Sequence, residues 1–329
     1  MVNQRAGILG TGHSYPEGIL TNADLAQMVE TSDEWITTRT GIKQRRKAAP
    51  DEYTSLFAVR ASREAIERAR LDPADIDLLL CATVTPDQIL PSTGCIIQAE
   101  LGANNAAAMD IVAACSGFLY GVSMADSMIK TGQVRYAVVV GAEILTQYVD
   151  YTDRKTCVLF GDGAGAAVLG PVDGGNRGIL ASKIKSDGRY EEQLYSPGGG
   201  TRKRPSADTL AAGDHFFKMK GNELFKVAVR SMAEISREVL DQAGVKAEEI
   251  NLFIPHQANQ RITEAVADRL NVDMSRVYSN IAVHGNTSSA SIPIALDECV
   301  EAGRVKPGDL VLMTSFGGGV TWGAVLMRW

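Results

Sequence analysis

A repeat relates the two halves of this sequence, and it restricts the possible folds more than any other feature. Two segments of the first half each have a counterpart further along the chain. Residues 58–80 (AVRASREAIERARLDPADIDLLL) resemble residues 228–254 (AVRSMAEISREVLDQAGVKAEEINLFI), and residues 125–143 (ADSMIKTGQVRYAVVVGAE) resemble residues 296–316 (LDECVEAGRVKPGDLVLMTSF). We therefore expect two related halves that share one fold.

One shift along the sequence brings these halves into register. Moving the first half forward by 171 residues lays Asp126 on Asp297, and it also lays Cys115 on Asn286. If the halves share a fold, Cys115 and Asn286 occupy equivalent positions and face each other across the seam, where ligand pockets are common. The predicted halves are residues 1–172 and 173–329.

The secondary structure predicted from the sequence alternates between strands and helices. Short aliphatic runs such as DIDLLLCATV and RYAVVVGAEI are separated by longer segments of helical period, such as SLFAVRASREAIERARL. This alternation is typical of an α/β protein with buried, largely parallel strands.

The composition excludes several classes of protein. With 45% hydrophobic and 22% charged residues, the 329-residue chain can bury a sizeable core. A net charge of -6 argues against a broad nucleic-acid-binding surface. No apolar run reaches the ~18 residues that cross a bilayer, and the N-terminus lacks the apolar segment of a signal peptide, so we expect a cytoplasmic protein. The five cysteines include no C-x-x-C pair, which predicts reduced thiols and no metal site.

Cys115 stands between a predicted strand and a predicted helix, in the segment MDIVAACSGFLYGVSMADSMI (109–129). A helix N-terminus favours a thiolate, although its dipole lowers a thiol pKa by only about one unit. The neighbours are small, so an acyl group can approach and backbone N–H groups stay open as oxyanion donors. We expect the other four cysteines to be small buried residues: Cys81, Cys95, Cys157 and Cys299.

Two polar residues are candidate partners for this thiol. His256 follows the strand INLFI and Pro255, and the carboxyl ends of strands are where open α/β sheets carry their sites; a buried core histidine is the alternative. Asn286, in HGNTSSAS, has the composition of a helix cap, and only its alignment with Cys115 favours a role in a site. Structural roles are expected for the other histidines: His13 in a turn, His215 and His284.

With these residues in view, the chain resembles the β-ketoacyl-acyl carrier protein synthase III family of the thiolase superfamily. The resemblance extends over essentially the full length. It rests on the segments TSDEWITTRTGIKQR, CSGF, FGDGAGAAVL, GNELFKVAV, PHQAN, HGNTSSAS and SFGGGVTWG, in that order.

The resemblance implies a thiolase-like αβαβα five-layered fold, a homodimer and a Cys115–His256–Asn286 site. It also implies a decarboxylative Claisen condensation that begins fatty-acid synthesis. An acyl-CoA primer, here expected to be short and most simply acetyl-CoA, acylates Cys115. Malonyl-acyl carrier protein then loses carbon dioxide, and the resulting enolate attacks the acyl-enzyme to give a β-ketoacyl-acyl carrier protein. Acyl-CoA is a substrate, and no cofactor is implied.

Further residues receive roles only through this resemblance. The N–H groups of Cys115 and Gly318 would hold the oxyanion. Leu90 would reach into the acyl pocket of a partner subunit, where some family members carry a bulkier phenylalanine. The residues implied in coenzyme A binding are Trp35, Arg39 and Arg154, and those implied in carrier-protein binding are Lys226 and Arg261.

Other classes of protein share parts of this pattern. The segment GDGAGA (161–166) fits a dinucleotide-binding fingerprint, but the residues after it read as a strand instead of the required helix. A thiolase would need a second cysteine in the C-terminal glycine-rich loop, and FGGGVTWG contains none. A related condensing enzyme of secondary metabolism, with a different primer or extender, stays open. So do malonyl-CoA as the extender and a role for His256 in generating the thiolate.

Overall fold

The computed structural model describes residues 5–173 and 177–329. The strands are β1 (Arg5–Ser14), β2 (Ile19–Thr21), β3 (Gln44–Arg46), β4 (Leu78–Ala82), β5 (Ala107–Ile111), β6 (Ala137–Ile144), β7 (Asp162–Val172), β8 (Gly178–Ser186), β9 (Leu194–Tyr195), β10 (Lys218–Met219), β11 (Leu252–Pro255), β12 (Leu310–Gly317) and β13 (Thr321–Arg328). The helices are α1 (Asn22–Leu25), α2 (Asp33–Thr40), α3 (Thr54–Ala69), α4 (Thr93–Leu101), α5 (Gly117–Lys130), α6 (Ala207–Ala211), α7 (Gly221–Ala243), α8 (Gln260–Leu270), α9 (Ile281–His284) and α10 (Ser291–Glu301).

Two mixed sheets organise the molecule, and their topologies repeat. The first has the order β1-β7-β6-β4-β5, and the second has the order β8-β13-β12-β11. In each, two antiparallel pairings are followed by a parallel one, β6 with β4 and β12 with β11. The parallel partner β5 of the first sheet corresponds in the second to a single bridge between Phe253 and Val277.

Helices and sheets stack in five layers. Helices α3 and α4 pack on the outer face of the first sheet, for example through Phe57 and Ile97. Helices α5 and α10 lie between the two sheets, where Phe118 and Leu296 join residues of both in one core. Helices α7 and α8 cover the outer face of the second sheet. The predicted αβαβα fold is therefore confirmed, and no helix in the described ranges is long and apolar enough to cross a membrane.

Fewer neighbouring strands run parallel than the sequence predicts. Strand β7 runs antiparallel to both β1 and β6. It is antiparallel to β6 because residues 145–161 join the two strands at the same end of the sheet without a crossover helix. The segment GDGAGA lies at the start of this strand, with Asp162 as its first residue. It therefore does not open a helix, and the dinucleotide-binding interpretation is excluded.

The repeat changes register within one helix. A shift of 171 residues still aligns Gly132 with Gly303, which follow α5 and α10 with φ of 74° and 64°. Helix α10, however, has 11 residues where α5 has 14. At the N-terminal ends, the 3₁₀ turn Ala114–Ser116 therefore matches the 3₁₀ turn Ser288–Ala290, and both begin at a left-handed residue. The predicted equivalence of Cys115 with Asn286 is wrong by one helical turn.

Candidate active site

Cys115 lies in the middle of the turn that joins β5 to α5, and hydrogen bonds from the second half hold this turn. The Ser315 hydroxyl donates to the carbonyl oxygen of Cys115 over 2.7 Å, and the Thr321 hydroxyl donates to that of Ala113 over 2.7 Å. Gly317 also packs against the turn, since a Cβ there would stand only 2.6 Å from the Cys115 nitrogen. The position of the thiol thus depends on both halves of the chain.

Burial keeps the Cys115 thiol protonated at rest. Desolvation is the largest influence and raises the pKa of Cys115 to about 12; the Ser288 side chain opposes this shift, and the Glu143 carboxyl adds to it. The position at a helix N-terminus predicts a lowered pKa for Cys115. This prediction is wrong in sign, because the loss of solvent raises the pKa more than the dipole lowers it. Within the described residues, no hydrogen bond joins the sulfur to His256, so the resting pair is not an ion pair.

His256 directly follows β11 and is fixed at both its backbone and its ring. Its N–H donates to the carbonyl oxygen of Thr314 over 2.8 Å, and its Nδ1 lies 2.7 Å from the Ser291 hydroxyl oxygen. The residue is 2% exposed. Desolvation lowers the pKa of His256 to about 3, so the imidazole is neutral at physiological pH.

Asn286 is held so that its amide nitrogen has no hydrogen-bond partner among the described residues. Its backbone N–H donates to Leu159 and its carbonyl accepts from Gly161, each over 2.9 Å. Its side-chain oxygen accepts from the N–H of Ser288 over 2.9 Å. Since the oxygen has this partner, the amide NH₂ group is the end available to a ligand.

A buried arginine supports the segment to which Asn286 is bonded. Arg45 is fully buried, and its guanidinium donates to the carbonyl oxygens of Leu20 and Val158 and to the side chain of Asn22 over 2.9 to 3.0 Å. Burial lowers the pKa of Arg45 to about 10. These bonds fix Val158, which immediately precedes the residues that pair with Asn286.

Cys115, His256 and Asn286 line one cavity of about 780 Å³. That volume lies in the range of small-molecule sites, about 300–1,000 Å³. The structure thus brings together the three residues that the sequence analysis singled out. A neutral imidazole and an amide NH₂ beside a thiol can stabilise negative charge on an oxygen of a bound acyl compound.

Trp35, Arg39 and Arg154 line the same cavity. The two guanidinium carbons lie 4.8 Å and 4.7 Å from the centre of the Trp35 ring. Arg154 is also bonded to the carbonyl oxygen of Glu30 over 2.8 Å. A flat aromatic group flanked by two cations is suited to a planar, negatively charged ligand.

Lys226 and Arg261 are exposed and lie near the start of α7 and α8. The Arg261 guanidinium lies 5.7 Å from the ring centre of Phe225, which lines the cavity. Both cations therefore flank residues of the cavity wall without lining it themselves.

Two other predicted site residues lie outside the lining of this cavity. Leu90 is 84% exposed and its neighbour Ile89 is 90% exposed, and neither lines the cavity of its own chain. Gly318 lies in the turn between β12 and β13, where a Cβ would stand 2.9 Å from the carbonyl oxygen of Leu194. Its neighbour Gly317 lines the cavity.

Two of the other three histidines, His13 and His284, have carboxylate partners, Asp297 and Glu298. The Nδ1 atom of His215 has no hydrogen-bond partner among the described residues.

His13 lies in β1 and not in a turn, and its Nδ1 is 2.6 Å from Asp297. His13, Glu64 and Asp297 could together bind a metal ion, but Arg68 pairs with both carboxylates over 2.5 Å, which makes this group an ion-pair network.

Some features of the site were not predicted from the sequence. Cys95 is exposed, contrary to expectation, while Cys81, Cys157 and Cys299 are buried. The roles of Ser288 and Ser291 were missed because serines in HGNTSSAS read as helix caps. Glu143 was missed as well: it is buried near Cys115, and the charged residue within the apolar run RYAVVVGAEI was the available signal.

Comparisons with known proteins identify relatives along the whole chain. Two family models match, 3-oxoacyl-[acyl-carrier-protein (ACP)] synthase III over residues 109–188 and its C-terminal model over residues 240–329. The β-ketoacyl-[acyl-carrier-protein] synthase III of Caldanaerobacter subterraneus subsp. tengcongensis is 52% identical over 324 residues, 98% of either chain.

Solved structures give the same result. The crystal structure of 3-oxoacyl-[acyl-carrier-protein] synthase III from Aquifex aeolicus VF5 has a TM-score of 0.91 and 51% identity, and the match covers 98% of this chain and 100% of that one. The priming β-ketosynthase of the R1128 polyketide biosynthetic pathway has a TM-score of 0.92 at 36% identity, over 100% of this chain and 98% of that one.

Proposed function

This chain belongs to the 3-oxoacyl-[acyl-carrier-protein] synthase III family, and we propose that Cys115, His256 and Asn286 perform its reaction. The chain is accordingly an acyltransferase that condenses acyl-CoA with malonyl-acyl carrier protein to initiate fatty-acid synthesis. The observation that carries the residue assignment is the single cavity in which a thiol, a neutral imidazole and an oriented amide NH₂ meet.

In the first step, the Cys115 sulfur attacks the thioester carbonyl of the primer. A new C–S bond forms to Cys115, the C–S bond to coenzyme A breaks, and the thiol proton ends on the coenzyme A sulfur. The tetrahedral oxyanion accepts hydrogen bonds from the N–H groups of Cys115 and Gly318. Because the resting thiol is protonated, its deprotonation is part of the cost of this step.

In the second step, the malonyl thioester of the carrier protein loses carbon dioxide. The C–C bond to the carboxylate breaks and its electron pair moves into an enolate. The enolate oxygen accepts from the Asn286 amide and from Nε2–H of His256. A neutral histidine suits this role, because it donates a hydrogen bond without giving up a full proton to the enolate.

In the third step, the enolate carbon attacks the acyl-enzyme carbonyl. A new C–C bond forms, the C–S bond to Cys115 breaks, and a β-ketoacyl thioester remains on the carrier protein. The thiolate of Cys115 takes up a proton from solvent and returns to the resting thiol. The N–H groups of Cys115 and Gly318 serve this oxyanion as they served the first.

Coenzyme A and the carrier protein approach from the same mouth. We assign the adenine to the face of Trp35, with Arg39 and Arg154 supplying cationic contacts at 4.8 Å and 4.7 Å from that ring. Lys226 and Arg261 flank the mouth and are exposed, which suits a partner with an acidic surface.

We further propose a homodimer formed along the free edge of the first sheet. Strand β5 is the edge strand, and apolar side chains beside it are exposed, with Leu90 at 84% and Val112 at 79%. A second copy would cover this edge, which otherwise presents unpaired backbone groups and apolar surface. Leu90 would then reach the partner's acyl pocket and favour short primers such as acetyl-CoA.

The reaction requires a reduced nucleophile. All five cysteines are free thiols. We therefore place the protein in the cytoplasm, where thiols are kept reduced.

The experiment that tests this function offers the purified chain acyl-CoAs from acetyl to long-chain together with malonyl-acyl carrier protein or malonyl-CoA. The intact mass of the carrier protein reports a product made from malonyl-acyl carrier protein, and the mass of the coenzyme A thioesters reports one made from malonyl-CoA. We expect a β-ketoacyl group built from a short primer with malonyl-acyl carrier protein, and none with Cys115→Ala. A preference for another primer or for malonyl-CoA would instead favour a role like that of the polyketide priming enzyme, to which the chain is 36% identical.

A further inference from the structure

Ser291 is the partner of the His256 ring within the described residues. It is the first residue of α10, and its hydroxyl oxygen lies 2.7 Å from His256 Nδ1. The backbone N–H of Gln257 donates to the same oxygen over 3.4 Å. Ser291 is 2% exposed, so solvent does not take part freely in these bonds.

The direction of the bond to His256 follows from counting hydrogens. A serine hydroxyl has one hydrogen to donate, and its oxygen already accepts from Gln257. Among the described residues, His256 Nδ1 is the one acceptor within reach of that hydrogen. If Nδ1 carried a proton, the serine oxygen would accept twice and its hydrogen would be a buried donor without a partner, which proteins avoid.

We propose that Ser291 is a positioning residue that donates to Nδ1 of His256 and thereby fixes the Nε2–H tautomer. A neutral imidazole carries one ring proton, so an occupied Nδ1 acceptor leaves that proton on Nε2. Asn286 is oriented in a similar way, since the Ser288 N–H occupies its side-chain oxygen. In both His256 and Asn286, a hydrogen bond to one polar side-chain atom leaves the other polar atom as the donor.

The catalytic consequence rests on the proposed function. If His256 Nε2–H donates to the enolate oxygen, loss of the tautomer removes a donor when carbon dioxide leaves. The acylation step uses backbone N–H groups instead and is expected to depend little on Ser291. Removing Ser291 should therefore separate the two half-reactions.

The direct test reads the tautomer by ¹⁵N NMR of protein labelled at histidine. The chain has four histidines, and His256→Gln assigns the signals of this ring. The proton-bearing and bare ring nitrogens differ widely in chemical shift, so the tautomer is observed without any reference to activity. In the native protein we expect a proton on Nε2 and none on Nδ1.

Ser291→Ala is the informative variant. A water molecule in the space left by the hydroxyl can donate or accept, so the ring should become a mixture of tautomers. Malonyl decarboxylation should fall about 10- to 100-fold, as when an orienting partner of a functional histidine is lost, while Cys115 acylation changes little. Ser291→Thr retains a hydroxyl and should restore the tautomer. Ser289→Ala, which removes a buried hydroxyl from the neighbouring turn, should leave the His256 tautomer unchanged.

A native Nδ1–H tautomer, or an unchanged tautomer in Ser291→Ala, overturns the proposal. A tautomer that changes in Ser291→Ala without slower decarboxylation supports the positioning role and contradicts the donor role assigned to His256. If Ser291→Ala does not fold, the native spectrum decides the question by itself.

Discussion

The Asn286 side-chain oxygen accepts a hydrogen bond from the backbone N–H of Ser288, 2.9 Å away. This bond fixes which end of the amide a ligand meets. The oxygen is turned to the chain, so the NH₂ group is offered to the cavity that Cys115 and His256 share. A group that only donates can stabilise an enolate oxygen but cannot act as a base.

Asn286→Ala should separate acylation from decarboxylation. Loss of one oxyanion donor costs about 2.7–4 kcal/mol of barrier, or about 100- to 1,000-fold in rate. Carbon dioxide release from labelled malonyl-acyl carrier protein should therefore fall by that factor, while mass spectrometry shows normal acylation of Cys115. Decarboxylation at the native rate would show that the amide does not contact the enolate.

His256 should make the fold less stable in acid. Burial lowers the pKa of His256 to about 3 from an unfolded value near 6.5, so between these pH values the unfolded chain binds a proton that the folded chain does not. Stability is then lost as pH falls, by up to about 1.4 kcal/mol per pH unit. Urea unfolding between about pH 6.5 and 5.5 should show a steeper loss for the native protein than for His256→Gln. An equal loss of stability in both proteins would mean that His256 has the same pKa in the folded and the unfolded chain.

Glu143→Gln should increase the reactivity of Cys115. The buried carboxyl accepts from the N–H of Val84 and the hydroxyl of Thr85, and it raises the pKa of the Cys115 thiol. Glutamine has the same shape and can keep both bonds without the charge. Iodoacetamide should then alkylate Cys115 faster at a fixed pH, because a lower pKa leaves a larger fraction of the thiol ionised.

The exposed Cys95 provides an internal control for that experiment. Its alkylation should proceed at the same rate in the native protein and in Glu143→Gln. If the rate at Cys115 is equally unchanged, Glu143 is neutral in the native protein and does not act on the thiol.

Trp35→Ala should weaken the binding of acyl-CoA specifically. Loss of a stacking surface and its cation contacts is worth about 1–2 kcal/mol, or about 5- to 30-fold in KM. Malonyl-acyl carrier protein contains no adenine, so KM for this substrate should stay the same. An equal rise in both KM values would place Trp35 on the path common to both substrates.

Leu90→Phe should test the proposed position of this residue in a partner's pocket. A bulkier side chain there should shift the primer preference toward acetyl-CoA in competition assays. Leu90→Asp should weaken the dimer in sedimentation experiments, because it places a charge in an apolar contact. This assignment would be contradicted if the native protein were a monomer, or if Leu90→Phe left the primer preference unchanged.

The sequence was sufficient to predict the two related halves and to select three residues that line one cavity. Periodicity predicted the alternation of strands and helices, and the strand end before His256 was visible as INLFI followed by Pro255. It did not reveal that β7 returns antiparallel, since strand direction depends on the path of the connection.

The register of the repeat could not be predicted at the site itself. The matching residues around Asp126 and Asp297 in the two halves suggested one shift for the whole half, but α10 is one turn shorter than α5. Cys115 therefore corresponds to the turn Ser288–Ala290. Asn286 lies two residues before that turn, where its own backbone pairs with Leu159 and Gly161.

The protonation state of Cys115 depends on burial, which no local pattern reports. A helix N-terminus is visible in the sequence, whereas the removal of solvent by the second half of the chain is not. The larger of these two effects raises the pKa of the thiol.

Peptide mass spectrometry of Cys115 in two stages tests most directly whether this thiol is the nucleophile. The protein is first mixed with acetyl-CoA alone, and malonyl-acyl carrier protein is then added. We predict an acetyl group on the Cys115 peptide that disappears on the second addition as acetoacetyl-acyl carrier protein forms. An acetyl group on another residue, or one that persists on Cys115 while product accumulates, would contradict the assignment of Cys115 as the nucleophile.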